Sequence, residues 1–253
     1  MLTHDDCVVY DAFAREYQAY IYPLLAVNLL RRHGRRDGRI LDLGTGPGFL
    51  TLELAARSDA VVTGLDINPK MLELTDELLT EAGVRDRVVL QRGDVHALPF
   101  ADSSFDLVAS YSCLHHWADI PRALAEVSRV LAPGGRMVIL DTEPLSPPAL
   151  QHLRELVADP AKFRFVEEAS EESLTIADVT RHAASAGLAA FEVSHFAFEE
   201  EDILDCIDEI DVPLFGEELS GAKSWVLAAG KPAAGLRARE EHQLVHVNNG
   251  DEP

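Results

Sequence analysis

Four side chains of this 253-residue chain have the type and placement to do chemistry: Asp66, Asp94 and the adjacent pair His115 and His116. Asp66 ends the apolar run AVVTGL, and Asp94 follows VVLQRG. The histidines sit in SYSCLHHW, after FDLVA. A carboxylate just past a strand can accept from a diol or an amine, and a histidine titrates near neutral pH and can take a proton. A fifth element connects them. Gly44-Thr45-Gly46-Pro47-Gly48 lies between the buried run ILDL and a helical pattern. In a wound α/β sheet this strand-to-helix turn opens the ligand crevice, and glycines let the backbone approach what binds there. A dinucleotide loop would read GxGxxG. Here Gly44 and Gly46 fit, the third place is Phe49, and the extra glycine falls one position early at Gly48. That spacing, with no Tyr-x-x-x-Lys pair, leaves an NAD-dependent oxidoreductase as the weaker alternative.

Alternating patterns supply the scaffold. Short apolar runs at 39–43, 60–65, 87–91, 105–110 and 137–140 predict strands, and helical patterns at 49–57, 69–81 and 120–131 fall between them. Strands separated by helices of about a dozen residues make βαβ units and a parallel sheet buried on both faces. A helix over 173–187 and strands over 191–198 and 224–229 complete it. The fold class is α/β: a Rossmann-like, doubly wound, mostly parallel seven-stranded sheet. Tyr10, Phe13, Tyr17, Tyr20 and Leu24 repeat at helical spacing, with Pro23 splitting them into two helices, so residues 1–36 predict an N-terminal helical cap. The main domain spans 37–232. An insertion after the fifth strand, about 143–170, carries four prolines and predicts one short helix near 150–157. An acidic segment follows at about 199–218. Within it Ile203, Leu204, Ile207 and Ile210 predict an amphipathic helix, and residues 233–253 read as a flexible tail.

Composition narrows the partners. The formal net charge is −21. A chain this acidic repels polyanions, which argues against nucleic acid and anionic membrane. Cys7, Cys113 and Cys206 are far apart and form no CxxC, which fits a reducing compartment. The start lacks a basic, apolar leader and no run approaches a membrane span, so a soluble cytoplasmic protein is expected. Eighteen arginines against four lysines, with much alanine, point to a GC-rich bacterial source.

Taken in order, DLGTGPG, VVTGLDINPKML, RGDVHALPFADSSFDLV and LAPGGRMVIL make the chain resemble the class I S-adenosylmethionine-dependent methyltransferases. The resemblance covers roughly residues 41–140 and is nearest the small-molecule group that includes ubiquinone/menaquinone biosynthesis (methyltransferase type 11). It implies S-adenosyl-L-methionine as cofactor and a small-molecule methyl acceptor at oxygen, nitrogen or carbon; with the GC-rich bacterial composition, a substrate of secondary metabolism is expected. Non-methylating chemistry on the same fold, cyclisation or decarboxylation, is the alternative. By the same resemblance Asp66 takes the ribose hydroxyls, and Asp94, after Gly93, takes the adenine amino group, with Ile67 and Val95 on the ring. Asp42 orients the methionine amino group, Gly44 and Gly46 touch the methionyl chain, and Thr45, Gly48, Met71 and Ser110 complete the cofactor set. Tyr10 and Tyr17 of the folded-over cap are further candidates, since a ring near a cation is favourable.

His115 or His116 is the candidate general base. Neighbouring residues are expected to point apart, which argues against a shared metal, and no metal is predicted. His242 and His246 lack a third ligand and an HExxH frame. A homodimer is compatible with the sequence.

Overall fold

The computed structural model describes residues 2–188, 190–206 and 223–233. Two helices open it. Helix α1 (His4–Tyr17) starts in a capping box between Thr3 and Asp6. Helix α2 (Ile21–His33) takes Pro23 in its first turn and stops at Gly34 in the left-handed region. Then come β1 (Arg39–Leu43), α3 (Phe49–Arg57), β2 (Val61–Asp66), α4 (Pro69–Glu81), β3 (Val88–Arg92), β4 (Phe105–Tyr111), α5 (Ile120–Val130) and β5 (Leu131–Thr142). Beyond these lie α6 (Pro147–Leu156), α7 (Pro160–Glu172), α8 (Ile176–Ser185), β6 (Phe191–Phe196), α9 (Glu200–Asp205) and β7 (Ser224–Gly230).

The seven strands form one sheet in the order β3-β2-β1-β4-β5-β7-β6, with β7 antiparallel to both of its neighbours and the remaining pairings parallel. Successive strand residues feed opposite faces. Ile40, Leu107, Val138 and Val226 pack with α2 and α3, whereas Leu41, Val108, Met137 and Trp225 pack with α5 and α8. Both faces are covered, which is why the strands read as unbroken apolar runs. Strand order reverses between β1 and β4, and the carboxyl ends of these two strands define the crevice.

Three expectations need correction. The fifth strand begins at Leu131, which pairs with Phe105, before the Pro-Gly-Gly turn; pairing then shifts, and Arg136 meets Leu107. The proline-bearing insertion predicts one short helix near 150–157. Instead Pro147 and Pro160 each open a helix, behind the N-caps Ser146 and Asp159, and α7 runs past residue 170. A proline in the first helical turn loses no bond that the helix needs. In α9 Ile203 packs beside Leu24 and Cys206 as the stripe predicts, but Leu204 does not join it and a polar side chain makes the buried anchor. Asp202 is fully buried against Arg31 (2.8 Å) and Asn28 (2.8 Å), while Leu204 is 59% exposed. Ile207, Ile210, the rest of the acidic segment to 218, residues 234–253 and hence His242 and His246 lie outside the described residues. None of the described helices is long and apolar enough to cross a membrane.

Candidate active site

A cavity of about 1170 Å³ opens at the carboxyl ends of β1, β2 and β4, under α1 and α7. Most ligand sites hold between about 300 and 1,000 Å³, so there is room for two molecules side by side.

One half is built on the sheet. The turn after β1 is pinned through its amides: those of Gly44 and Thr45 donate to the carbonyl of Leu65 (2.8 and 3.0 Å), that of Gly46 to Asp66 Oδ2 (3.0 Å), and that of Gly48 to the Thr45 carbonyl (3.0 Å). Pro47 has none. No amide from Gly44 to Gly48 is left for a phosphate, which is a physical reason to set the dinucleotide reading aside. Gly44 (φ +71°) cannot be replaced without a shift, because a Cβ there would lie 2.1 Å from Cys113 Sγ. Gly48 (φ +94°) would strike Thr75, whose hydroxyl donates to the Gly46 carbonyl and ties α4 to the turn.

Asp66 is buried at the end of β2, and burial raises its carboxyl above the ordinary range. Oδ2 takes the Gly46 amide and Oδ1 the Asn68 amide (2.8 Å), which fixes the carboxylate while leaving each oxygen further acceptor capacity. Asn68 also holds the cap: its side-chain Nδ2 donates to the Leu2 carbonyl (3.0 Å) and Cys7 Sγ (3.2 Å). Asp94 lies at the rim, its Oδ1 bound to the His96 amide (2.9 Å) and ring (2.6 Å), and these bonds lower its carboxyl. Ile67, Met71, Gly93, Val95 and Tyr10 complete this wall.

The other candidates fall elsewhere. Asp42 and Thr45 line a separate side cavity of about 40 Å³ beneath the turn, room for one water. Asp42 Oδ2 accepts from Thr51 (2.6 Å), and burial pushes its carboxyl up to about 6. Ser110 turns its hydroxyl onto the Leu43 carbonyl (2.8 Å), which joins β4 to β1, and does not face the large cavity. Gly48 lies under α4 instead of at the wall. Tyr17 lines the large cavity away from the glycine turn, packed with Phe13, Leu153 and Val157.

The other half is built on helices. Phe13, Tyr17, Leu145, Leu153, Val157, Phe165 and Val166 give it an apolar wall. Asp6 with Arg164 (2.6 Å) and Glu16 with Lys162 pair α1 to α7 at its edge, and Tyr10 meets Phe165 edge-on at 5.2 Å.

Between the halves stand the histidines. Ser112 adopts φ +50°, and Leu114–His116 form a single 3-10 turn. The turn brings both rings to one side, with centroids 4.0 Å apart, so the expectation that neighbours diverge fails. His115 is nearly buried, and its Nδ1 contacts both oxygens of Asp141 (2.9 and 2.8 Å), which is wholly buried at the end of β5. The Asp141 carboxylate also accepts the His115 amide (3.2 Å). His116 is half exposed, with Nδ1 2.6 Å from Glu172 of α7, and burial holds its imidazole below its ordinary value. Cys113 is pushed up to about 12 by burial and stays a thiol.

Sequence reasoning missed Asp141, Glu172 and Arg164. Asp141 carried a usable signal, because it directly follows the apolar run MVIL and strand carboxyl ends line the crevice in such folds. The other two follow from how α7 packs.

Residues 41–139 match the family described as "Methyltransferase domain". The demethylmenaquinone methyltransferase of Lactiplantibacillus plantarum is 38% identical over 159 residues, 60% of this chain and 67% of that protein. The 27-O-demethylrifamycin SV methyltransferase of Amycolatopsis mediterranei is 34% identical over 154 residues; the match covers 61% of this chain and only 55% of that protein. The crystal structure of a Methanococcus maripaludis protein superposes with a TM-score of 0.67 at 22% identity, over 92% of this chain and 95% of that one, and so shares the fold. The pinned glycine turn, the buried carboxylate of Asp66 and these similarities agree: the chain belongs to the family of S-adenosylmethionine-dependent methyltransferases.

Proposed function

We propose that this chain methylates a bulky, largely apolar small molecule that carries a hydroxyl group, with His115 as general base. The observation behind this is the His115–Asp141 pair, set between a polar, sheet-built half-cavity and an apolar, helix-built one. When bound, S-adenosylmethionine supplies an electrophilic methyl group on a positively charged sulfur. Asp66 would hold its ribose hydroxyls and Asp94 its adenine amino group, with Ile67 and Val95 on the ring. Gly44, Gly46, Met71 and Tyr10 would flank the methionyl part, and Asp42 would reach the ammonium through a water in the small cavity.

Asp141 fixes the tautomer of His115. With Nδ1–H donated to the carboxylate, Nε2 is the basic nitrogen. It would take the acceptor's hydroxyl proton as the oxygen gains the methyl group and the methyl–sulfur bond breaks with its electron pair left on sulfur, and Asp141 would stabilise the imidazolium that results. Ionising a hydroxyl also raises the electron density of an attached aromatic ring, so the same base serves oxygen or ring-carbon acceptors. The rest of the rate comes from alignment and from excluding water under α1 and α7. The printed substrates of the two named relatives, a rifamycin and a menaquinone precursor, support an acceptor of this size class.

The test is methyl incorporation from labelled cofactor across a panel of hydroxylated polycyclic and macrocyclic compounds, beside calorimetry with S-adenosylhomocysteine. Tight S-adenosylhomocysteine binding with no methylated product from any hydroxylated acceptor would overturn the acceptor class.

A further inference from the structure

The cavity also holds a cluster of ligating side chains, of which methyl transfer uses only His115. One nitrogen or oxygen from each of His115, His116 and Glu172 lies within 4.8 Å of the others. The cluster comes from two elements distant in sequence, the 3-10 turn after β4 and the last turn of α7. Two features make it more than proximity. Asp141 grips His115 Nδ1 from behind, which leaves Nε2 as the donor. A carboxylate on the rear nitrogen is how ligating histidines are oriented and made more basic. Meanwhile His116 and Glu172 are half exposed and line the cavity, so an ion can reach them and keep an open position toward the acceptor. Two imidazoles and one carboxylate with an open fourth place is a donor set that suits zinc.

We propose that His115, His116 and Glu172 bind one divalent ion of the zinc class at the acceptor side of the cavity. The ion and base catalysis exclude each other, because both use the lone pair on His115 Nε2. Zinc therefore inhibits methyl transfer reversibly; this second half rests on His115 being the base, and the binding half does not.

The experiment is equilibrium dialysis of the full chain with Zn²⁺, with Co²⁺ as a spectroscopic probe and S-adenosylhomocysteine affinity as the check on folding. The expected result is one tight equivalent per chain and visible cobalt absorption with the same stoichiometry. Both are weakened more than about tenfold in Glu172→Gln and in His116→Ala, two variants that keep S-adenosylhomocysteine affinity. Absence of a tight equivalent overturns the site, and so does an equivalent that either variant retains at full affinity, because other side chains then hold the metal. In the activity arm, zinc slows wild-type turnover and has less effect on Glu172→Gln, each relative to its own zinc-free rate. Tight zinc binding with undiminished turnover overturns the exclusion alone. Loss of S-adenosylhomocysteine binding in the wild type would instead strike the cofactor reading, with the metal result unaffected.

Discussion

The two halves of the cavity are made in different ways. The sheet-built half is short range: Asp66 ends its strand, the glycine turn and Asp94 lie within five residues past theirs, and backbone amides hold them. The helix-built half is long range. Asp6 pairs with Arg164 and Glu16 with Lys162 across about 150 positions, and aromatic rings fill the space between. Rigid backbone suits a cofactor that never changes. Side chains on two packed helices can be exchanged without disturbing the sheet, which suits an acceptor that differs between enzymes.

That contrast can be broken at its boundary first. His115→Ala is expected to lower kcat by about 10²- to 10⁴-fold and leave S-adenosylhomocysteine affinity unchanged. Equal losses in both would show that His115 belongs to the cofactor half. Asp141→Asn should follow the same split with a smaller loss, since the imidazole loses its fixed tautomer and not its basic nitrogen.

On the sheet side, Asp66→Ala would remove the acceptor to which, in the proposed reading, the two ribose hydroxyls donate. Calorimetry should show S-adenosylhomocysteine affinity weakened by about 10²- to 10⁴-fold, each such bond being worth about 1.5–3 kcal/mol. The acceptor's KM should stay put, and a shift of similar size there would erase the division.

Asp42 gives a pH signature. Burial raises its carboxyl from the ordinary 3.8 to about 6, so the folded chain keeps a proton that the unfolded chain has released between those values. The resulting stability is complete below about pH 4 and is lost as pH rises through about 6. In urea titrations the wild type should therefore lose stability across this window relative to Asp42→Asn, by up to about 3 kcal/mol. Parallel curves would mean that Asp42 is solvated.

The smallest effect is expected on the helix side. Arg164→Ala breaks an exposed pair with Asp6. It should raise the acceptor's KM a few-fold, with S-adenosylhomocysteine affinity intact, because exposed ion pairs are weak. A change in cofactor affinity instead would place the α1–α7 contact in the other half.

Periodicity and turn chemistry made the scaffold readable: β1 to β4, their helices and the split at Pro23 stand where the residue patterns put them. These signals are local, because strand alternation, N-caps and glycine turns depend on neighbours a few positions away. Asp66 and the Gly44–Gly48 turn were legible for the same reason. The prolines at 147 and 160 misled because a proline looks alike whether it breaks a helix or opens one, and only Ser146 and Asp159 accepting the first-turn amides decides. Asp202 defied an apolar stripe because Arg31 and Asn28 were waiting on α2.

The amino-acid order by itself determined the parallel sheet, its crevice and the carboxylate at the end of β2, since each follows from a spacing written within about a dozen residues. Tertiary structure decided which histidine is buried and which is open, that both rings turn to one side, that Asp141 stands behind one and Glu172 beside the other, and that α7 closes the cavity over α1. Each of those depends on elements 26 to 158 positions apart meeting in space, and only packing of the whole core fixes such distances.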